Sequence, residues 1–328
     1  MPFCRLKCIC TSLVLIGVFI APVSNVWAQI QTSGFSVLQL DASARSAALA
    51  GSTTALRESN GSVLFSNPAL LTPRADRRLA FSYLNHISNI NAGWLSYARQ
   101  LDSLGTVAVG LRYLSFGSFD ELDQQGVKTG TFGASDIAIS IGAARSWRNV
   151  WSYGAALHLT RSAIASNSAS ATAIDAGIVY DNPTSRSTFS ASVHNLGIVL
   201  SSVGTRADKL PLDFRIGLTQ KLAYLPLLIS ITAYRLHELD GGDPENGSFS
   251  AVLNHVKLAG EFQFSESFQV RFGYDHRKHQ DLKIKSRLDM AGFSTGLGLV
   301  IAKIGFDYSF NSWSSLGSLH RFSIVSSL

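Results

Sequence analysis

The chain has 328 residues, of which 15% are charged against about 25% in soluble domains, and its mean hydropathy is positive. The formal charge is +6, or +4 once Arg5 and Lys7 of the leader are set aside, and the cations form no arginine-rich stripe or helix, so nucleic-acid binding has no footing. The only three cysteines, Cys4, Cys8 and Cys10, stand at the very start, which excludes a disulfide framework for the rest.

The first segment reads MPFCRLKCICTSLVLIGVFIAPVSNVWAQ: a basic start, an apolar run from Cys8 to Ala21, and Val26-Trp27-Ala28 as a small-x-small cleavage site. Residues 1–28 are therefore expected to be a secretory signal peptide. After Ala28 the best apolar run, Leu222 to Tyr234, has thirteen residues and contains Pro226, too short for a helical span of about 20 residues. An exported, apolar chain without helical spans must satisfy its backbone in lipid by closing a sheet. The predicted fold class is thus all-β, a transmembrane antiparallel barrel.

Residues 29–77 come before the first strand pattern. Leu40 to Arg57 (LDASARSAALAGSTTALR) is rich in alanine and serine, and Val63 to Leu71 (VLFSNPALL) breaks at Asn67-Pro68. Both are too small-sided for lipid-facing strands. They read as short helices and turns forming a luminal plug, with Asn67 and Pro68 at its break; a loose periplasmic tail is the other reading.

From residue 78 onward, apolar and small side chains alternate with period two, the signature of strands with two unlike faces. Fourteen segments of about ten residues, the length a tilted strand needs to span, follow in order. They are Arg78 to Asn85, Asn91 to Gln100, Gly105 to Phe116, Phe132 to Arg145, Val150 to Arg161, Ala171 to Tyr180 and Ser187 to Leu196. Then come Pro211 to Gln220, Leu225 to Leu236, His255 to Phe264, Phe268 to His276, Ala291 to Val300, Lys303 to Phe310 and His320 to Leu328. The links on one side (QLDSL, SWRNV, DNPTSR, KLAY, SES, IA) are short. Those on the other are mostly long: Gly117 to Thr131, Ser162 to Ser170, Gly197 to Leu210, His237 to Asn254, Arg277 to Met290 and Asn311 to Leu319. Only the link around His86 to Ile90 breaks the rule. Short periplasmic turns and long outer loops belong to outer-membrane barrels; a soluble sandwich has no reason to sort its loops by parity. In the twelfth and thirteenth segments Phe293, Leu297, Phe306 and Phe310 should face lipid, and Gly296, Gly298, Asp307 and Ser309 a crowded lumen.

Motifs for chemistry fail on context. Gly292-Phe293-Ser294-Thr295-Gly296 matches G-x-S-x-G but lies inside continuous alternation, without the helix that a nucleophile elbow requires. Lys128-Thr129-Gly130 lacks a partner S-x-x-K, and Gly296-Leu297-Gly298 lacks the third glycine of a dinucleotide loop. Glu238, Asp240, Asp243 and Glu245 offer oxygen ligands without an EF-hand spacing, and read as a solvated acidic loop. No enzyme and no cofactor is expected. The basic loop with Arg277, Lys278, His279, Lys283, Lys285 and Arg287 is the candidate contact with lipopolysaccharide phosphates or an acidic partner face.

GFSVLQLDASARSAALAGS, SNPALL, GTFGASDIAISIGAAR, LPLDFRIGLTQKL and the ending RFGYDHRKHQDLK…GFSTGLG…FDYSF resemble the PorQ family of type IX secretion system outer-membrane proteins, within the broader PorV and FadL-like barrels. The resemblance covers essentially all of the chain after the leader. It implies fourteen strands with an N-terminal plug, an outer-membrane location in Bacteroidota, and a non-enzymatic role holding partners of the attachment complex. Those implied partners are a PorZ-like surface protein, the PorU protease and PorV. The FadL likeness implies a different class, a channel for a hydrophobic small molecule. One departure is the ending SIVSSL at Leu328, where such barrels usually end on an aromatic residue.

Overall fold

A computed structural model describes residues 35–85, 90–203, 208–238, 252–283 and 289–328. The expected signal peptide, residues 1–28, lies outside the described residues. Among them no helix is long and apolar enough to cross a membrane; the chain crosses with strands.

Fourteen strands close into one barrel, each hydrogen-bonded to its sequence neighbours and the first to the last. They are β1 (Arg78–Asn85), β2 (Asn91–Leu101), β3 (Gly105–Leu122), β4 (Lys128–Trp147), β5 (Trp151–Ile164), β6 (Asn167–Asn182), β7 (Ser187–Ser201), β8 (Asp213–Lys221), β9 (Leu227–Ala233), β10 (Val256–Gln263), β11 (Phe268–Asp275), β12 (Phe293–Ile301), β13 (Ile304–Ser312) and β14 (Ser318–Ser327). Every pairing is antiparallel, and closure runs from Arg78↔Ser327 to Asn85↔His320. Closure matters because an open edge would leave unpaired N–H and C=O groups in hydrocarbon. Leu328 sits just past β14 and donates its N–H to Arg77 O, so the ladder is used to its end.

Side chains alternate across the wall. Phe81, Tyr83, Val109, Leu111, Ile137, Ile139, Tyr153, Leu157, Phe293, Leu297 and Phe306 point outward and are exposed, while Ser82, Arg112, Ser140, His158, Ser294 and Ser309 point inward and are buried. An apolar exterior around a polar interior inverts the arrangement of a soluble sheet and suits a lipid solvent.

The structure corrects three of the expected loops. Gly117 to Thr131 is mostly strand, with the turn confined to residues 123–127; Ser162 to Ser170 is a hairpin turning at residues 165–166; and Gly197 to Ser201 continues β7. The strands overhang on that side because the chain pairs past the membrane, as Phe119↔Phe132 and Ile164↔Asn167 show. The two rings of Phe119 and Phe132 stack at 5.5 Å.

Pro73, Arg74 and Arg77, just before β1, are exposed, whereas residues 35–71 are mostly buried and pack against the strands of the barrel. Their helix α1 (Ala44–Ala48) is capped by Ser43, whose Oγ accepts from Ser46 N–H, and α1 packs on β11, β12, β13 and β14. The 3-10 turns Gly61–Phe65 and Pro68–Leu70 pack on the opposite wall, β1 to β6. The alanine-rich composition has a steric cause: a Cβ on Gly296 would stand 2.5 Å from Ala48 Cβ, and one on Gly177 would stand 2.0 Å from Asn67 Oδ1. The space between segment and wall is too narrow for larger residues. Gly177→Ala should therefore cost about 1–3 kcal/mol by overpacking, read as a drop in the urea midpoint of the purified barrel; an unchanged midpoint would show that the segment does not press on β6.

Candidate functional site

The barrel wall and the segment inside it meet along an apolar cluster and a set of polar clamps. The apolar cluster begins at the outer mouth. Leu84 and Trp94 near the outer ends of β1 and β2, Leu114 on β3 and Leu319 on β14 point inward and are almost wholly buried. Phe35, Val37 and Leu38 belong to the same buried cluster, their turn packing on β3 and β4, with Ile90, Phe116, Val199, Leu210 and Trp313 packed against the cluster. The same cluster continues along Val63, Leu64, Phe65 and Leu70. Phe35 has φ 60 and ψ 48, a left-handed conformation that is costly for an aromatic residue; burial of its ring offsets that cost. Small luminal side chains were expected throughout, and the mouth departs from this because Leu84, Trp94 and Leu114 fall on inward positions near strand ends.

Polar clamps tie the segment down. On one side Arg45 Nε donates to Glu261 Oε2 at 2.7 Å and Arg45 Nη2 to Glu261 Oε1 at 2.9 Å. Arg271 Nε donates to the same carboxylate at 2.7 Å and its Nη1 pairs with Asp307. Glu261 is 1% exposed and Arg271 3%, so the centre of this chain of charges is dry, while Arg45 and Asp307 at its ends are partly exposed. Burial disfavours the Arg45 cation, but the adjoining Glu261 and Glu58 hold its pKa above the ordinary arginine value. On the far side Arg57 Nη2 donates to Asp181 Oδ2 at 2.6 Å and to Ser152 Oγ at 3.1 Å. Shorter ties complete the ring: Val37 N–H to Asp136, Ala44 N–H to Ser323 Oγ, Asn311 Nδ2 to Ala47 O, and Ser52 Oγ to Thr232 Oγ1 at 3.1 Å. Arg321 donates to Asp41 O while its guanidinium lies over the Trp94 ring at 4.6 Å, and Arg112 lies over Phe65 at 4.9 Å.

Asn67 and Pro68 sit where the segment reverses. Asn67 is fully buried; its Nδ2 donates to Thr54 O at 2.9 Å and its Oδ1 accepts from Ala69 N–H at 3.0 Å. Pro68 opens the next turn, where a missing N–H costs nothing.

The basic candidates are only partly gathered. Arg277, Lys278 and His279 lie on helix α2 (His276–Leu282), and Lys283 follows it; Lys285 and Arg287 lie outside the described residues. Arg277 is engaged by Glu238 at 3.4 Å and Asp281 at 3.9 Å. His279 Nδ1 lies 3.0 Å from Ala291 O, and Lys283 Nζ donates to Gln280. Lys278 stands 4.0 Å from Asp275 and its charge acts on Asp41 of the segment below. Of the acidic loop, Glu238 is paired with Arg235 at 2.7 Å, and Asp240, Asp243 and Glu245 are outside the described residues.

Asp41 has a pH consequence. Burial opposes its ionisation, but Lys278, Lys257, Arg321 and Arg215 surround it and hold its carboxyl below the ordinary value of 3.8. A folded value below the unfolded one means that Asp41 stabilises the packed segment at neutral pH and that this contribution fades as the pH falls below about 4. Acid should thus expose the segment to pepsin in the wild type, with a weaker acid dependence in Asp41→Asn; equal dependence in both would remove Asp41 from the account. Gly51 beside it has φ +76, and a Cβ there would stand 2.7 Å from Asp41 Oδ1, so only glycine closes this turn.

One buried cluster had no signal in sequence spacing. Ser140 Oγ lies 2.7 Å from His158 Nδ1, Ser192 Oγ lies 2.9 Å from His194 Nε2, and His194 Nδ1 lies 2.9 Å from Asp175 Oδ2. His158 Nε2 is 3.1 Å from the same oxygen but off the line of a good hydrogen bond. The four strands β4 to β7 bring these residues together. Ser192 is buried, and Asp175 Oδ1 accepts Asn195 N–H at 2.7 Å where the β6–β7 register shifts between Ile174 and Ala176. The carboxylate thus satisfies a β-bulge, a structural task for a group that elsewhere orients a catalytic base.

No protein-family model and no curated relative matches the chain. Among solved structures it is similar to the TodX monoaromatic hydrocarbon channel in its deltaS2 mutant form, with 13% identity and a TM-score of 0.53, over 86% of this chain and 97% of that one. It is also similar to a Pseudomonas aeruginosa FadL homologue, with 11% identity and a TM-score of 0.50, over 87% of this chain and 98% of that one. At such identities the likeness is one of fold. The fold is that of FadL-like barrels of the Gram-negative outer membrane.

Proposed function

We propose that this chain is a non-enzymatic outer-membrane channel for a hydrophobic small molecule, closed by its own N-terminal segment acting as the plug. The observation that carries the reading is the inward-facing apolar mouth of Leu84, Trp94, Leu114 and Leu319, which shares one buried cluster with Phe35, Val37 and Leu38 of the N-terminal segment. A barrel that only anchored a partner would gain nothing from an apolar mouth, whereas an apolar solute could replace those three side chains at little cost in buried area. The FadL-like fold supports the same reading. The test is uptake of labelled toluene and of a long-chain fatty acid by cells that lack their own such channel. Expression of the folded barrel should raise uptake of one of these probes and leave a disaccharide unchanged; no change in either probe, with the barrel correctly inserted, sinks the proposal.

A second reading has one observation in its favour. The β3–β4 hairpin overhangs the membrane and exposes Phe119, Leu122 and Val127, apolar surface out of reach of lipid. This supports a scaffold role of the PorQ kind, with the hairpin docking a surface protein of a type IX attachment complex. Mild-detergent pull-down from the native membrane separates the readings: a stoichiometric partner lost on Phe119→Ser with Leu122→Ser favours the scaffold, and a barrel that elutes alone removes it.

A further inference from the structure

The outward face of β4 to β7 carries a recess of about 250 Å³ walled by Ile137, Ile139, Leu159 and Leu200, with Arg161 and Ser170 at its upper edge. Its origin is a break in the ladder. Between Ser170↔Ser201 and Ala171↔Val199 the register shifts, which leaves Leu200 without a cross-strand partner on β6, and its side chain is exposed. The volume is below the roughly 300–1,000 Å³ of small-molecule pockets, enough for part of one acyl chain.

Height decides what the recess meets. Trp151 and Arg161 both face outward on β5, ten residues apart. At about 3.3 Å per residue and a tilt near 40°, Arg161 stands roughly 25 Å above Trp151, the height of the apolar band of such barrels. Trp151 and Tyr153 then mark the periplasmic interface, and Arg161 stands among outer-leaflet head groups. Its side-chain Nη2 donates to the neutral Ser168 Oγ at 3.3 Å, and among the described residues no carboxylate pairs with it. A cation at phosphate height directly above an apolar recess matches an amphiphile whose head is a phosphate and whose tail is acyl.

We infer that this recess binds a phosphorylated acyl glycolipid of the outer leaflet, the lipid anchor of lipopolysaccharide, with one acyl chain against Leu159 and Leu200 and a phosphate on Arg161. The inference stands on the outer-membrane placement and not on transport. Arginine suits the role because its planar fork takes phosphate bidentately.

The test is native mass spectrometry of the barrel extracted from lipopolysaccharide-bearing outer membranes and washed with competing detergent. Wild type and an Ile231→Trp control, outward-facing on β9, should keep bound glycolipid. Arg161→Gln should lower its occupancy roughly tenfold, the loss expected of one charge-assisted hydrogen bond, and Leu159→Trp, which fills the recess, should abolish it. Heat-modifiable migration confirms that each variant is a folded barrel, and Arg161→Gln serves if Leu159→Trp does not fold. The inference is overturned if wild type retains no glycolipid, if glycerophospholipid or detergent takes its place, or if all four proteins retain it equally. A barrel absent from the outer-membrane fraction would instead overturn the placement itself.

Discussion

Replacing Glu261 by alanine is expected to destabilise the protein by about 3–5 kcal/mol, the cost of removing one partner from a buried ion network. Arg45 and Arg271 both spend their guanidinium Nε on this carboxylate. Arg271 is 3% exposed and cannot turn to water without moving the wall, whereas Arg45 is partly exposed. Arg45 belongs to the N-terminal segment and Arg271 to β11, and one side chain therefore joins that segment to the barrel wall. Urea unfolding followed by heat-modifiable migration measures the loss. Glu261→Gln should cost less, since it keeps the volume and one acceptor. A loss under about 1 kcal/mol for Glu261→Ala, the worth of an exposed pair, would mean that water reaches the network.

A cross-link between Ser52→Cys and Thr232→Cys should stop passage of a hydrophobic probe. The two hydroxyls are 3.1 Å apart and both residues are buried, so a disulfide needs little movement, and no other cysteine lies in the described residues to compete. If the inner segment must shift for a solute to pass, uptake in the oxidised double mutant should fall at least about tenfold, an opening penalty of some 1.4 kcal/mol or more, and return with reductant. Uptake that is equal in oxidised and reduced protein would show that passage does not require this part of the segment to move. Either single mutant, which cannot form the bond, controls for the substitutions themselves.

Much of the architecture was legible because a membrane wall imposes a strict rule on each residue. Period two from Arg78 onward marked the strands, and the first was bounded to the residue: Arg78 to Asn85 in the pattern and in β1 alike. Phe293, Leu297 and Phe306 pointed outward as their alternation required. Strand ends above the membrane were less legible, since the rule lapses once a hairpin leaves lipid. Nothing in GSFDELDQQGVKTGT forces its residues to stop pairing, and β3 and β4 run on through it to Leu122 and from Lys128.

The candidate site was less legible still. Arg277 and Lys278 stood out as a charge run, but Glu238 and Asp281 engage the first, and Asp275 and Asp41 the second. Asp307 read as lumen-facing, but nothing joined it to Arg45, Glu261 and Arg271, because the four lie far apart in the chain. The same is true of His158, Asp175 and His194.

The amino-acid sequence by itself determined that this chain crosses with strands, how many there are, which side chains meet lipid and which side carries the longer connections. Each follows from local alternation and composition, because in hydrocarbon every backbone group must be paired and every outward side chain must be apolar. Only the tertiary structure decided what the lumen holds and how it is held. Closure of the barrel sets Glu261 against Arg45 across 216 positions, lays Arg321 over Trp94, and brings Leu84, Trp94 and Leu114 into one buried cluster with Phe35. Those contacts depend on register and curvature summed around fourteen strands, and no local pattern in the chain encodes that sum.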